Sequence, residues 1–172
     1  LISKKSNELS VEYASKSLRV SINSYISFLN YPNLKNATEM SIASHLAGKA
    51  ISISKTTAPH AVSYPFTSLF NVSHGHAVGL FFENFFQFNY MNLNRSETTF
   101  DLKKRFDLIF KLFDVNNIYE FNSKISVIKR EAKLECDPLK LNINIEKSSE
   151  KIIKGINLLR LGNNPVKIDE ND

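Results

Sequence analysis

The chain has 172 residues, of which 42% are hydrophobic and 23% charged, with 13 Phe and a formal net charge of +5. That length carries one domain with a real core, and the apolar content excludes a disordered polymer. The positive charge is scattered in pairs such as Lys4-Lys5, Lys103-Lys104 and Lys129-Arg130, interleaved with acids. It reads as a solvated surface, whereas a nucleic-acid binder would show a basic stripe with interleaved aromatics.

Gly and Pro number five each, leaving little room for the many tight turns of a sandwich or barrel. Cys136 stands alone, which rules out an internal disulfide framework and a cysteine-rich metal site and is compatible with a cytoplasmic location. No run reaches the ~18 apolar residues of a membrane span, and no signal peptide is read at the start. The chain opens Leu1-Ile2-Ser3-Lys4-Lys5 without an initiator methionine and closes on a polar stretch. Residues 1–172 are therefore expected to be one domain of a longer protein.

In chain order, Val11, Ala14, Leu18, Ile22, Tyr25, Ile26 and Leu29 recur at the three-and-four spacing of one helix face. Asn7 or Ser10 caps its start, and Asn30-Tyr31-Pro32-Asn33 ends it, because proline disfavours helix in the residue before it. A second helix is expected from about Ala37 through Ile53, with Met40, Ala43, Ala47, Ala50 and Ile51 on one side. Pro59 suits the first turn of a third helix that carries His60 and Tyr64. A break near Asn71-Val72 precedes an aromatic helix from His74 to about Asn92. Helices over Thr99–Phe113 and Tyr119–Ala132 come next. Pro138 to Ile145 alternates like a strand, but with no second strand to pair with, an extended connector is expected. Ser148 or Ser149 then caps a short helix from Glu150 to Ile156. The sum is an all-α helical bundle.

Three of the four histidines, His60, His74 and His76, fall in one short window. Neutral imidazole is the commonest metal ligand, yet two imidazoles fall short of the three or four ligands most sites need. His60 in a first turn and His74 at the next helix start can converge on one point from adjacent helices. They can equally each bond a backbone group in the core. His45 lies mid-helix and is assigned no role.

Ala47-Gly48-Lys49-Ala50, Ala58-Pro59-His60-Ala61 and Phe70-Asn71-Val72-Ser73-His74-Gly75 together resemble the metal-binding segment of the iron-containing alcohol dehydrogenases. Asn157 to Val166 resembles that family's C-terminal stretch, and Ser6-Asn7-Glu8-Leu9-Ser10 resembles the segment just after its first ligand helix. The likeness thus runs through the chain in order and implies the family's helical, metal-binding C-terminal domain, without the nucleotide-binding α/β domain. It implies a divalent cation, Fe2+ or Zn2+, with His60 and His74 as two ligands and an aspartate–histidine pair just upstream of Leu1. The cation would act as a Lewis acid on an alcohol or aldehyde oxygen while NAD(P)H supplies hydride. The partners implied are small aldehydes or alcohols, with no nucleic acid and no membrane, and a homodimer is compatible with the likeness.

Where the family places a second histidine, this chain has Tyr64, on the face of His60 at i,i+4. Tyr64 either acts as a catalytic hydroxyl toward substrate or nicotinamide, or packs as an aromatic wall. Lys55-Thr56-Thr57-Ala58-Pro59-His60-Ala61 with His74-Gly75-His76-Ala77-Val78 looks most like the phosphonoacetaldehyde reductase branch. On that likeness Lys55 or the threonines Thr56 and Thr57 bind an anionic substrate, or else Lys55 faces solvent, and His76 lines the pocket. The other class left open is a non-catalytic helical domain whose histidines are structural.

Overall fold

Asn7 starts the first helix by a reciprocal cap. Its side chain accepts from the Ser10 N–H at 2.9 Å, and Ser10 Oγ accepts from the Asn7 N–H at 2.9 Å, satisfying two of the donors a helix start leaves orphaned. From there the computed structural model, which describes residues 1–169, runs α1 (Glu8–Asn30), α2 (Leu34–Ser54), α3 (Ala58–Phe70), α4 (His74–Met91), α5 (Leu102–Phe113), α6 (Ile118–Glu131), α7 (Ile145–Lys154) and α8 (Leu158–Leu161). A single 3-10 turn at Leu93–Arg95 links α4 to α5. No strand forms among the described residues beyond one isolated antiparallel bridge between Ser96 and Val166. The fold is all-α, as the composition and periodicity indicate. No helix among the described residues is long and apolar enough to cross a membrane.

α1 and α2 pack as an antiparallel hairpin, and the contact differs from the expected one. The residues of α1 that are fully buried are Ser10, Ser17 and Ser24, two helical turns apart, while Leu29 of the apolar stripe is exposed. Ser17 Oγ donates to the Ala43 carbonyl at 2.7 Å, and Ser24 Oγ donates to Glu39 Oε2 at 2.5 Å. Facing them, Ala43 and Ala50 are buried. Small side chains bring the two helix axes close, and each of these hydroxyls finds an acceptor. Leu18 and Ile22, rotated from the serines, turn instead toward the main core.

That core is aromatic. Phe86 of α4, Phe106, Phe110 and Phe113 of α5 and Phe121 of α6 are all buried, with Phe86 and Phe121 stacked at 4.3 Å and Phe113 edge-on to Phe121 at 4.9 Å. Each buried phenyl contributes about 1.5–3 kcal/mol relative to leaving it in water. A second cluster, Phe66, Val72, Ala77, Ile143 and Ile152, fastens α3, α4 and α7 together.

Two expectations fail between α6 and α7. Residues 138–142 form turns and not an extended connector: the Ile143 N–H closes back on the Pro138 carbonyl at 2.8 Å, which drives the Ile143 side chain into the second cluster. α7 begins at Ile145 on an Asn144 cap, whose side chain accepts from the Lys147 N–H at 2.9 Å, several residues before Ser148 and Ser149. α2 likewise starts earlier than expected, on an Asn33 cap.

Candidate metal and substrate site

Asn71 determines where the two histidines meet. It ends α3 in the left-handed conformation, φ 56 and ψ 26, which asparagine tolerates better than most residues. The Val72 N–H then returns to the Phe66 carbonyl and Val72 is buried. The chain reverses so sharply that His74, the first residue of α4, comes back beside His60 in the first turn of α3. His60 Nδ1 lies 3.1 Å from His74 Nε2, and the rings are 5.2 Å apart.

Ser63 determines which nitrogen of His74 is free. Its hydroxyl donates to the His60 carbonyl at 2.8 Å and lies 3.2 Å from His74 Nδ1. A hydroxyl has one hydrogen to give, so Ser63 Oγ accepts from a His74 Nδ1–H, and the lone pair of His74 falls on Nε2, facing His60. His60 itself resists protonation: burial first, then the neighbouring His74 ring and the Arg160 guanidinium, lower its pKa from 6.5 to about 4.

This arrangement fits two ligands of a divalent cation. Two nitrogens each about 2.0–2.1 Å from one cation lie about 2.8–3.4 Å apart in octahedral to tetrahedral geometry, and the separation here is 3.1 Å. The partner on the far ring nitrogen of His74 is the outer-shell contact such ligands ordinarily carry. Among the described residues, no group of three or more His, Cys, Asp or Glu gathers at one point, so the two imidazoles by themselves do not make the three- or four-ligand site a cation ordinarily needs.

Tyr64 joins this pair and Lys55 partly does. The Tyr64 ring lies 5.6 Å from the His74 ring, and its hydroxyl oxygen accepts from Arg160 Nε at 2.8 Å. Lys55 lines a cavity of about 370 Å³ that also reaches His60, Thr56 and Thr57, but its ammonium donates to the Ser52 carbonyl at 2.9 Å. Its backbone sits at φ 57, ψ −171, a region that costs a non-glycine residue on the order of 1–3 kcal/mol. Asn163 holds it there: one amide nitrogen donates to both flanking carbonyls, Ser54 O and Thr56 O, at 2.9 Å each. His76 lies outside the group. Its Nε2 donates to the Glu135 carbonyl at 2.6 Å, tying α4 to the loop after α6.

Sequence reasoning does not single out Arg160, Ser63 or Asn163. The one local signal for Arg160 is Pro65, inside α3. Lacking an N–H, it leaves the Ala61 carbonyl without its helical partner, and the Asn157 N–H takes that carbonyl at 3.2 Å. Asn157 caps α8. Pro65 thereby docks the closing segment on α3 and swings Arg160 over Tyr64, with its Nη1 donating to Thr56 Oγ1 at 2.5 Å.

The solved structure of sulfoacetaldehyde reductase from Bifidobacterium kashiwanohense, in complex with NAD+, is similar over 99% of this chain and 43% of its own, with a TM-score of 0.81 at 23% identity. A 1,3-propanediol oxidoreductase is similar over 99% of this chain and 44% of its own, with a TM-score of 0.82 at 19% identity. An alcohol dehydrogenase from Oenococcus oeni gives 99%, 45% and 0.77 at 17% identity. The chain thus spans less than half the length of the solved structures it matches, and at these identities the likeness is one of fold. Phosphonoacetaldehyde reductase from Streptomyces viridochromogenes is 38% identical over 48 residues, 28% of this chain and 12% of that protein. The sequence model described as Fe-containing alcohol dehydrogenase family, C-terminal, matches residues 1–172, and the chain belongs to that family.

Proposed function

We propose that this chain is the metal-holding part of a cytoplasmic, metal-dependent, NAD(P)H-linked aldehyde reductase or alcohol dehydrogenase acting on a small substrate, with phosphonoacetaldehyde the first candidate. The observation that carries the reading is the approach of His60 Nδ1 to His74 Nε2 at 3.1 Å with the His74 lone pair turned inward by Ser63. Family membership and the oxidoreductase names of the similar structures support it. A cation held by two imidazoles needs further ligands, which we assign to chain outside residues 1–172, together with the nucleotide-binding domain.

When bound, Fe2+ or Zn2+ supplies Lewis acidity toward the substrate oxygen, and the nicotinamide exchanges hydride with carbon. The chain's own residues do the rest. His60 stays neutral at physiological pH and keeps its lone pair. Tyr64, whose oxygen already accepts from Arg160, keeps its own O–H for a substrate oxygen or a water. Lys55 stands at the cavity rim, within reach of a substrate only if it leaves Ser52. His76 is engaged with Glu135, and we propose no substrate role for it.

A second reading, a helical domain with structural histidines, draws on the same contact. If His60 carries its hydrogen on Nδ1, the pair closes as one hydrogen bond and needs no cation. Metal analysis of the full-length protein, with NADH and NADPH oxidation followed against phosphonoacetaldehyde, sulfoacetaldehyde and propanal, separates the two. The dehydrogenase reading expects about one equivalent of metal, lost in His60→Ala and His74→Ala, and turnover with at least one aldehyde. Neither metal nor turnover would leave the structural reading.

A further inference from the structure

Among the described residues, Arg160 is a guanidinium without a counter-charge. Both of its side-chain partners are neutral hydroxyls, Tyr64 OH at 2.8 Å and Thr56 Oγ1 at 2.5 Å, and among the described residues it makes no ion pair. Guanidinium cannot shed its proton in a protein, so the positive charge is permanent. Two of its five N–H donors are engaged, and the rest have no acceptor among the described residues. A half-buried charge in this state ordinarily finds a carboxylate. Instead Pro65 and Asn157 hold the Arg160 backbone at one spot, the Asn157 N–H taking the Ala61 carbonyl and the Asn157 side chain accepting from the Arg160 N–H at 3.1 Å. Gly155 approaches Pro65 so closely that a Cβ on it would stand 2.8 Å from Pro65 Cβ.

The spot is beside the paired histidines. Arg160 and His74 contact the same Tyr64 ring, the guanidinium carbon 5.8 Å and the imidazole 5.6 Å from its centroid. The fixed positive charge and the ring of His74, whose nitrogen is proposed to hold the cation, therefore lie against one and the same tyrosine ring. The competing cation, Lys55, is turned to the Ser52 carbonyl.

We propose that Arg160 is the receptor for an anionic tail on the substrate, which makes the preferred substrate a short aldehyde or alcohol ending in an oxyanion such as a phosphonate or sulfonate. The guanidinium presents its unused N–H edge to two oxygens of the tail, a bidentate match that ammonium cannot make. Thr56 and Tyr64, engaged by Nη1 and Nε, fix the plane of the fork. The tail's position then sets where the carbonyl lies relative to His60, His74 and the Tyr64 hydroxyl.

The assignment rests on the dehydrogenase reading for its substrate, so the test carries one arm that does not. With full-length protein, kcat/KM is measured for phosphonoacetaldehyde, sulfoacetaldehyde and uncharged propanal. The wild type should favour the charged aldehydes by about 100-fold, and Arg160→Gln should collapse that ratio toward one, chiefly through KM. Arg160→Lys should restore part of the ratio, and Thr56→Val, which loosens the fork without removing the charge, should lower it less. In the binding arm, methylphosphonate is titrated into 15N-labelled protein and the Arg160 Nε–H signal is followed. A saturable shift that Arg160→Gln abolishes supports the receptor even if no aldehyde is turned over, an outcome that would fell only the dehydrogenase reading. Turnover of propanal with no preference for charged aldehydes, an equal loss on all three in Arg160→Gln, or no shift with methylphosphonate would each overturn the receptor, and turnover of any aldehyde would leave the dehydrogenase reading standing.

Discussion

Pro65 and Ala61 are related by an absence: the ring at Pro65 has no N–H to give, and the Ala61 carbonyl accepts from the Asn157 N–H instead of from within α3. A residue that weakens a helix interior by about 3 kcal/mol when exposed here creates the socket for the closing segment. Replacing Pro65 with Ala would let α3 recapture the Ala61 carbonyl and release Asn157. The expected result is normal or higher helicity of α3 with faster amide exchange at Asn157 and Arg160. Hydrogen exchange of Pro65→Ala unchanged in the closing segment would contradict this.

Gly155 is needed for its lack of a Cβ and not for its backbone, which is ordinary right-handed helix at φ −87. At such a position alanine ordinarily stabilises by several tenths of a kcal/mol. With Pro65 Cβ at 2.8 Å, overpacking should win, and Gly155→Ala should lose about 1–3 kcal/mol. Urea denaturation decides it, and an unchanged or higher midpoint would show that the contact relaxes freely.

Lys55→Gly tests the strained link before α3. Glycine adopts φ 57 with ψ −171 at no steric penalty, so the variant should gain about 1 kcal/mol in spite of its freer unfolded chain. Asn163→Ala should do the reverse, since it removes the clamp on the Ser54 and Thr56 carbonyls while the strain stays. Thermal unfolding of both variants reads the opposite signs.

How much of this is visible in the sequence depends on how local the cause is. The helices follow from apolar periodicity and asparagine caps, and the turn at Asn71 from its residue type. His60 and His74 are legible because both sit at helix starts a short loop apart. The Ser10, Ser17 and Ser24 seam is not, because reading by hydrophobicity assigns serine to solvent, whereas burial of Ser17 and Ser24 depends on acceptors on α2. The run from Pro138 to Ile145 misleads for a related reason: its alternation comes from Leu139 and Leu141 on turns with Ile143 tucked in, and no strand is involved. Arg160 lies 96 residues from Tyr64, and His76 lies 59 from Glu135. No local pattern encodes either pairing.

Ser63→Ala removes the acceptor for His74 Nδ1–H without touching either proposed ligand. The loss should appear as about 10- to 100-fold weaker metal binding by the full-length protein, with a fold stability change under about 1.5 kcal/mol. In the metal-free protein, 15N ring shifts should show His74 losing its fixed tautomer. Metal affinity equal to wild type would remove Ser63 from the site.

The lowered pKa of His60 gives the chelated protein a defined acid response. Folded His60 takes up its proton near pH 4, and the unfolded residue does so near 6.5. Between those values the unfolded state binds more protons, so stability is complete above about pH 6.5 and declines as pH falls toward 4. His60→Asn should flatten the slope in that window. A slope identical to wild type would mean the proton uptake lies elsewhere.

The docking of Asn157 on Ala61 also orders assembly in time. His60, Ser63 and His74 lie within one short stretch and can find each other while the ribosome is still far from the closing segment. Arg160 emerges a hundred residues after His60, so the charge beside Tyr64 arrives well after the histidines have met. A chain cut short before Asn157 would carry its paired histidines with no guanidinium on the neighbouring Tyr64 ring. The charge recognition we propose for Arg160 would then be absent from its unfinished copies.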